Sequence, residues 1–555
     1  MTLDARPDPQ PVDDLDISQA IRDAGAKTHE VLPGTPGGHL AEIAARCPDR
    51  PAIEGEGLVL DYAGLDARVN RTARLLTARG LGRGDRMAVL AENRLDYVVL
   101  AFAAARTGII LAALNWRLSD GELSHCVHLV APRLVIASPR FRDTARRLGL
   151  DPLVFGPDWE AALSAEEPGP IPGAEAEAEA RQEDGLLILY TSGTTGLPKG
   201  AMISARAEMA RFTLSRRELG LRPEHMFIAW APMFHMVSIE HAMHVLMTGG
   251  RVVVVDGADI PRLVDLVETG PHWWLVLIPG MIERVAAEIR SRRAARPDWR
   301  PARIEMVGAL ADLVPPALIA EISGVLEAPY WNSFGSTETG MLPAAGTRFA
   351  PGEAPGDLAK APNSLHLWRL VDEDDRDVPP GTAGEIAVRG PSVFSGYWNA
   401  AATNAKDFRG GWFHMGDMFV ERPDGRLDFV DRAKYMIKSG AENIYPVEIE
   451  RVLMTHPAVG EAVVVRRPDE RWGEVPVAFV ALADEAPPVT AAELTAWCRA
   501  GLATYKCPRE IRFVASRDDF PRSTSGKVQR KTLEAQLQAE TAPPAARDVV
   551  GESAA

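Results

Sequence analysis

The segment Tyr190-Thr-Ser-Gly-Thr-Thr-Gly-Leu-Pro-Lys-Gly200 concentrates groups that bind anions. Four hydroxyls, on Thr191, Ser192, Thr194 and Thr195, stand among Gly193, Gly196 and Gly200, with Lys199 close behind. Hydroxyls can donate to phosphate oxygens, and lysine adds a mobile positive charge. Glycine lets main-chain N–H groups approach an anion closely. Together these suit a cradle for a polyphosphate. The spacing G-x-x-x-x-G-K-[ST] occurs nowhere in the chain, so this is a different kind of phosphate loop. A Ser/Thr-rich surface turn has a similar composition, but the density of donors behind a buried strand favours the cradle.

Other segments carry complementary chemistry. Phe334-Gly-Ser-Thr-Glu-Thr-Gly340 sets a carboxylate beside a hydroxyl, and one such carboxylate with phosphate oxygens is enough for magnesium. Gly411-Trp-Phe-His-Met-Gly-Asp417 ends on a carboxylate that could accept from two adjacent sugar hydroxyls. A long charged stretch from Gly425 to Glu450 contains Asp431-Arg-Ala-Lys-Tyr435 and Gly440. Pro521-Arg-Ser-Thr-Ser-Gly-Lys527-Val-Gln-Arg530 places a lysine in a Ser/Gly loop. Pro232-Met-Phe-His235 adds a histidine near the middle of the chain. Taken singly, each is more often a turn, a cap or a solvated side chain than a site.

The elements that would position these groups are legible. The apolar run at residues 186–189 predicts a buried strand leading into the first segment. Residues 98–114 predict a buried helix followed by a strand; Arg106 and Gly108 interrupt the run, so it is not a membrane span. Residues 62–79 predict an amphipathic helix and 87–91 a strand. Alternating patterns suggest one layered α/β subdomain over about residues 40–150 and a second over about 185–342. A β-rich stretch follows to about residue 431. Helices are expected at 444–453 and 491–502, and strands at 462–465 and 475–481. Residues 165–184 are acidic and proline-rich and read as a solvated linker or surface loop.

Composition sets outer bounds. The chain has 555 residues, enough for two to four domain-sized units. Its net charge of −15 argues against general nucleic-acid binding and against an anionic membrane surface. An anionic substrate would then need local positive charge inside a cleft. Cys47, Cys126, Cys498 and Cys507 are scattered, which fits a reducing, cytoplasmic setting. The acidic, proline-rich N-terminus has no apolar signal core.

Taken in order, these segments resemble the adenylate-forming acyl-CoA synthetase family, which includes luciferases and peptide-synthetase adenylation domains. The resemblance covers nearly the whole chain. It implies an α/β fold with a large multi-subdomain N-terminal domain and a small mobile α+β C-terminal domain. The corresponding boundaries are a tail at 1–30, an N-terminal domain at 31–433, a C-terminal lid at 434–540 and a tail at 541–555. It implies that Thr191, Ser192, Gly193, Thr194, Thr195, Gly196 and Lys199 bind the phosphates. Phe334 would stack on adenine, where many relatives carry tyrosine, with Gly335 beside it. Thr337 would contact the α-phosphate and Glu338 would hold magnesium. Asp417 and Arg432 would contact the ribose. Lys434 would be the hinge and Gly440 would line the pantetheine tunnel. Lys527 would be the catalytic lysine. Met233, His235, Met236, Gly308, Ala309, Phe334 and Gly340 would neighbour the acyl group, with His235 closing or gating the pocket. Two positions depart from the family pattern: Met415 replaces a usual threonine, and Tyr435 stands where an acidic residue is common.

The implied activity is an ATP-dependent, AMP-forming acid–CoA ligase with ATP, Mg and coenzyme A as cofactors. Its substrate would be an aryl, alicyclic or medium-length aliphatic acid, which places it in fatty-acid or aromatic-acid metabolism. Histidine rather than aspartate at 235 argues against an amino-acid substrate. Delivery of the acyl group to a carrier protein or another nucleophile is one alternative, and a catalytically silent binding protein of the same fold is a second. The partners expected besides the small molecules are a second copy of the chain, as a homodimer, and a lysine acetyltransferase acting on Lys527. Other signals are set aside. Gly80, Gly82 and Gly84 lack the rest of a dinucleotide fingerprint. His125 with His128, and His241 with His244, lack paired metal ligands in sequence. Trp273 and Trp274 read as core packing.

Overall fold

The computed structural model describes residues 31–172, 182–192, 197–278, 280–309, 311–341, 343–439, 442–469, 471–483, 486–522 and 528–541. The chain divides into two compact units. The first comprises the described residues of Met1–Thr382, Ile386–Met415 and Glu421–Asp428. The second comprises those of Ala383–Glu385, Gly416–Val420 and Phe429–Ala555.

Two large sheets organise the first unit. The six-stranded sheet has the order Leu153–Val154, Leu134–Ala137, Arg86–Leu90, Ile110–Ala113, Gly185–Ser192 and Pro198–Ser204. Its pairs are parallel except for the last, an antiparallel hairpin. The eight-stranded sheet has the order Thr347–Phe349, Tyr330–Asn332, Ile304–Val307, His272–Leu275, Met226–Ala229, Arg251–Val254, Pro51–Gly55 and Leu58–Asp61. Its inner pairs are parallel and its two edge pairs antiparallel. Parallel strands are covered by helices on both faces, which explains continuous apolar runs such as the fully buried Ile110–Ala113.

Local signals set the elements as expected. Asp61 caps the helix Tyr62–Ala78, its carboxylate accepting from the Gly64 N–H at 2.7 Å. The helix Leu95–Thr107 stops at Gly108, whose φ of +70° suits glycine, and the strand Ile110–Ala113 follows. Pairing corrects the expected subdomains at 40–150 and 185–342. The hairpin Pro51–Asp61 joins the later strands through Arg251–Val254, and Gly185–Ser192 joins the earlier ones beside Ile110–Ala113. Periodicity marks which residues form strands; it does not name the partner. The acidic stretch also differs in part, since Arg71 and Arg74 hold carbonyls of Glu166, Glu167, Gly169 and Pro170.

The second unit is α+β. Val459–Asp469 and Gly473–Leu482 form a long antiparallel pair, flanked by Ile437–Ser439, Glu442–Ile444 and Glu510–Val514. Alternate residues serve two cores. Ala462 and Val464 pack with the helices Pro446–Met454 and Ala491–Gly501, while Val463 and Val465 pack with Leu533 and Leu537 of the helix Arg530–Thr541. These strands outrun the expected 462–465 and 475–481 because their polar ends, such as Arg466-Arg-Pro-Asp469, read as turns. Among the described residues no helix is long and apolar enough to cross a membrane.

Candidate functional site

In the first unit the site begins at a hairpin. Gly185–Ser192 pairs with Pro198–Ser204 in a register that sets Thr191 opposite Lys199 and Tyr190 opposite Gly200. Gly193, Thr194, Thr195 and Gly196 lie outside the described residues, as does the Ser192 side chain. Gly200 is required by contact, since a Cβ there would come within 2.9 Å of Ile188. Lys199 has its ammonium 4.1 Å from the centre of the Tyr397 ring and 3.7 Å from Asp407.

Tyr397 connects this hairpin to the acidic turn. Its hydroxyl donates to Glu338 Oε1 at 2.8 Å, and both side chains are buried. The sequence reading missed Tyr397. Its only signal was a tyrosine after Gly396 in an otherwise ordinary loop. The turn itself is tight: Gly340 N–H donates to the Ser336 carbonyl at 2.8 Å, and Ser336 N–H to the Gly340 carbonyl at 3.0 Å. A Cβ on Gly335 would lie 2.1 Å from the Gly340 carbonyl oxygen, so only glycine closes the turn. Phe334, Gly335 and Thr337 are half-buried, which leaves them partly accessible to a ligand.

The turn is held from behind by charges inside the protein. Arg211, on the helix Ala205–Arg217, donates through Nη2 to the Thr337 carbonyl at 3.0 Å. Its Nη1 bonds Glu240 at 2.6 Å and its Nε donates to the Ser392 carbonyl at 3.1 Å. Beside it, Glu208 and His244 approach to 3.1 Å, and Ser215 bonds His244 Nδ1 at 3.0 Å. Burial pushes Glu208 up to about 8 and Glu240 up to about 7, each against the pull of Arg211. Burial pushes His241 and His244 down to about 3, so both rings are neutral near pH 7. His241 packs its ring 5.0 Å from that of Trp274 and 5.5 Å from that of Trp273.

The expected acyl-side residues fall on neighbouring segments of this unit. His235 is the N-cap residue of the helix Met236–Thr248, with its ring 4.7 Å from that of Phe234. Met233 is fixed by its N–H, which donates to Asn93 at 2.9 Å. Gly308 has φ +75°, and a Cβ there would lie 2.2 Å from the Tyr330 ring. Trp274 donates to the Gly308 carbonyl and Tyr330 to the Ala309 carbonyl, each at 2.8 Å. Trp273 and Trp274 are therefore core residues, and Trp274 also anchors the Gly308 loop.

The second unit brings together the two residues expected at the ribose. Arg432 Nε and Asp417 Oδ1 are 2.9 Å apart. Asp431, next in sequence, is buried and accepts from the Arg432 N–H at 2.6 Å and the Val447 N–H at 3.0 Å. Lys434 sits in the short turn Ala433–Tyr435 with its ammonium 4.9 Å from the Tyr435 ring centre. Gly440 and Lys527 lie outside the described residues. Arg530, three residues past Lys527, bonds Glu450 at 2.8 Å and the Val464 carbonyl at 3.1 Å. Its guanidinium lies 4.8 Å from the Tyr435 ring centre, so the unusual tyrosine at 435 is a packing partner for arginine.

The residues fit a hard divalent cation. Such ions take oxygen ligands, commonly one or two carboxylates with phosphate oxygens. Glu338 offers one carboxylate, oriented by the hydroxyl of Tyr397, whose ring the hairpin lysine approaches. Among the described residues no group of three or more His, Cys, Asp or Glu side chains is arranged to hold a metal. A cation here would be completed by a substrate.

Comparison with known proteins follows the same lines. The family described as AMP-binding enzyme matches residues 40–398, and the AMP-binding enzyme C-terminal domain matches residues 448–527. The chain is 33% identical over 486 residues to a feruloyl-CoA synthase of Amycolatopsis sp, covering 87% of this chain and 95% of that protein. It is 34% identical over 498 residues to an indoleacetate–CoA ligase of Aromatoleum aromaticum, covering 87% and 94%. Among solved structures it resembles the o-succinylbenzoate coenzyme A synthetase of Bacillus subtilis in complex with ATP and magnesium, with a TM-score of 0.75 and 26% identity over 89% of this chain and 98% of that one.

Proposed function

The chain belongs to the family of AMP-binding enzymes, and on that premise we propose that it is an ATP-dependent, AMP-forming acid–CoA ligase acting on an aryl carboxylic acid. The relatives named for feruloyl and indoleacetate thioesters support an aromatic substrate. The structural observation that carries the reading is that Tyr397 touches both Glu338, through its hydroxyl, and Lys199, through its ring. It gathers a cation and a carboxylate where a nucleotide's phosphates would need both.

In the first half-reaction an oxygen of the acid attacks the α-phosphorus of ATP. The bond to the β-phosphate breaks, and pyrophosphate leaves. A carboxylate is a weak nucleophile and its target is highly anionic, so catalysis is mainly positioning and charge neutralisation. The loop from Thr191 to Lys199 binds phosphate oxygens, Thr337 meets the α-phosphate and Phe334 stacks on adenine. Asp417 and Arg432 hold the ribose. Glu338 would hold Mg²⁺, which supplies positive charge at the phosphates when bound. Lys527 bridges the attacking carboxylate and the α-phosphate. His235 closes or gates the acyl pocket.

In the second half-reaction the CoA sulfur attacks the acyl carbonyl and AMP departs. The small domain turns about Lys434 between the steps, which withdraws Lys527 and presents the Gly440 face. Acetylation of Lys527 by a lysine acetyltransferase would remove its charge and stop the first step. We place the enzyme in the cytoplasm, with ATP and CoA.

The test is a panel of carboxylic acids with ATP and Mg²⁺, with and without CoA. AMP release and acyl-CoA are measured, the latter by mass. Aryl acids should give CoA-dependent AMP and the matching thioester. Adenylation without a thioester would point to another acceptor. Absence of carboxylate-dependent ATP–pyrophosphate exchange with every acid would overturn the enzymatic reading.

A further inference from the structure

We propose that Arg211 is a positioning residue for adenylation: it fixes both ends of the turn that presents Thr337 and Glu338, and ties that turn through Glu240 to the helix that begins after His235. This rests on the reading of residues 334–340 as the nucleotide and metal turn.

The argument starts from cost. Arg211 is 2% exposed, and taking a guanidinium out of water costs several kcal/mol. A methionine would fill similar space without that cost. What methionine lacks is a planar fork with several donors in fixed directions. Arg211 uses three of its nitrogens on three separate segments: the Thr337 carbonyl, the Ser392 carbonyl and the Glu240 carboxylate. The same side chain also packs against the far end of the turn. A Cβ on Gly340, where φ is +74°, would lie 2.9 Å from both Cδ and Nε of Arg211. The turn's own hydrogen bonds join Ser336 to Gly340 and leave the Thr337 carbonyl to Arg211.

The partner carboxylate explains how the device stays rigid. Glu240 is 1% exposed and sits on the helix Met236–Thr248, whose N-cap is His235. A shift of that helix is therefore felt by the guanidinium and then by the Thr337 carbonyl. The acyl side and the phosphate side of the site share one ion pair. The remaining ionisable neighbours are Glu208 and His244, which approach each other to 3.1 Å, and His241 on the same helix as Glu240.

The test uses the full-length enzyme with Arg211→Met, Arg211→Lys and the double variant Arg211→Met/Glu240→Leu. Three quantities are read: the Mg²⁺ concentration for half-maximal pyrophosphate exchange, the Kd of Mg·ATP by calorimetry without acid, and the melting temperature. Arg211→Met should raise the Mg²⁺ requirement and the Mg·ATP Kd by about 10- to 100-fold, the range for supporting contacts around a metal ligand. It should also lower the melting temperature, because Glu240 is left buried without its cation. Arg211→Lys should fall between, since it keeps the charge but cannot reach all three acceptors. The double variant should recover the melting temperature and keep the Mg·ATP defect. Recovery of both would reduce Arg211 to a structural ion pair and overturn the proposal. So would Mg²⁺ dependence and Kd within twofold of wild type in Arg211→Met or, should that fail to fold, in the double variant or Arg211→Lys. If wild type shows no carboxylate-dependent exchange, it is the functional reading that fails, a separate result.

Discussion

Tyr397→Phe removes one oxygen from the centre of the site and leaves the ring. The lost group donates to Glu338 Oε1 at 2.8 Å, with Tyr397 7% and Glu338 9% exposed. A hydrogen bond to a charged acceptor contributes about 1.5–3 kcal/mol. At about 1.36 kcal/mol per factor of ten, that is roughly 10- to 150-fold if the bond serves only the productive orientation of Glu338. Phenylalanine keeps the face that Lys199 approaches at 4.1 Å, so the hairpin lysine should stay in place. Tyr397→Leu removes both contacts and should cost about 0.5–2 kcal/mol more, the range for a cation over a ring. The assay is ATP–pyrophosphate exchange with a saturating acid, titrated with Mg²⁺ at fixed ATP. The expected result is a Mg²⁺ activation curve displaced at least tenfold upward for Tyr397→Phe, with the KM of the acid unchanged. The reasoning is refuted by a curve within twofold of wild type. It is equally refuted by a lowered melting temperature with no displacement of the curve, because the tyrosine would then hold the fold and not the ligand.

Three further outcomes are expected. Gly335→Ala forces a Cβ to within 2.1 Å of the Gly340 carbonyl oxygen, so the turn must open by an ångström or so; exchange should fall about 100-fold with an unchanged circular dichroism spectrum. Glu208, fully buried, is pushed up to about 8 from the usual 4.5, so the stability it contributes is complete below pH 4.5 and is lost as pH rises through about 8. Melting curves from pH 5 to 8.5 should therefore show Glu208→Gln gaining on wild type as pH rises; a constant difference would contradict the shift. Lys527→Ala should abolish pyrophosphate exchange yet spare thioester formation from a supplied acyl-adenylate; equal loss of both steps would count against a lysine serving only the first.

Much of this was legible because the informative groups are close in sequence. The run at 186–189 and the turn at 334–340 announce themselves by composition, while residues 193–196 of the hydroxyl–glycine segment lie outside the described residues. Asp417 and Arg432 were expected at one sugar, and they are in contact at 2.9 Å. What sequence could not supply was pairing at a distance. The hairpin Pro51–Asp61 sits in a sheet whose next strand is Arg251–Val254, and no local pattern names that partner. Tyr397 is a single residue whose meaning depends on Glu338 and Lys199. The helix Ala205–Arg217 is harder still. Arg206, Glu208 and Arg211 give it the look of a solvated face, yet all three are buried. Glu183 and Pro391 compensate Arg206 and Glu240 compensates Arg211, each on another segment, while burial keeps Glu208 largely protonated near pH 7 beside His244.

Those buried charges follow from the backbone they serve. A turn with φ of +74° at Gly340, or a loop with φ of +75° at Gly308, has no side chain of its own at the bend to hold its shape. Glycine also raises the entropy that must be lost to keep one conformation. The order has to come from outside the loop, through donors that reach specific acceptors. Arg211 does this at the turn 334–340. Lys360 does it nearby: its ammonium is fully buried, 2.6 Å from Asp312 in the turn Ala311–Leu313 that follows Gly308 and Ala309. It also donates to Asn332, the last residue of the strand leading to Phe334. One cation thus sets the spacing between two segments that enter the site. An apolar core could supply the stability of either arrangement, but not the direction. Removal of both partners of such a pair should therefore show itself in ligand geometry and not in melting temperature. For the same reason, paired charge removal at Arg211 and Glu240 discriminates better than either single substitution.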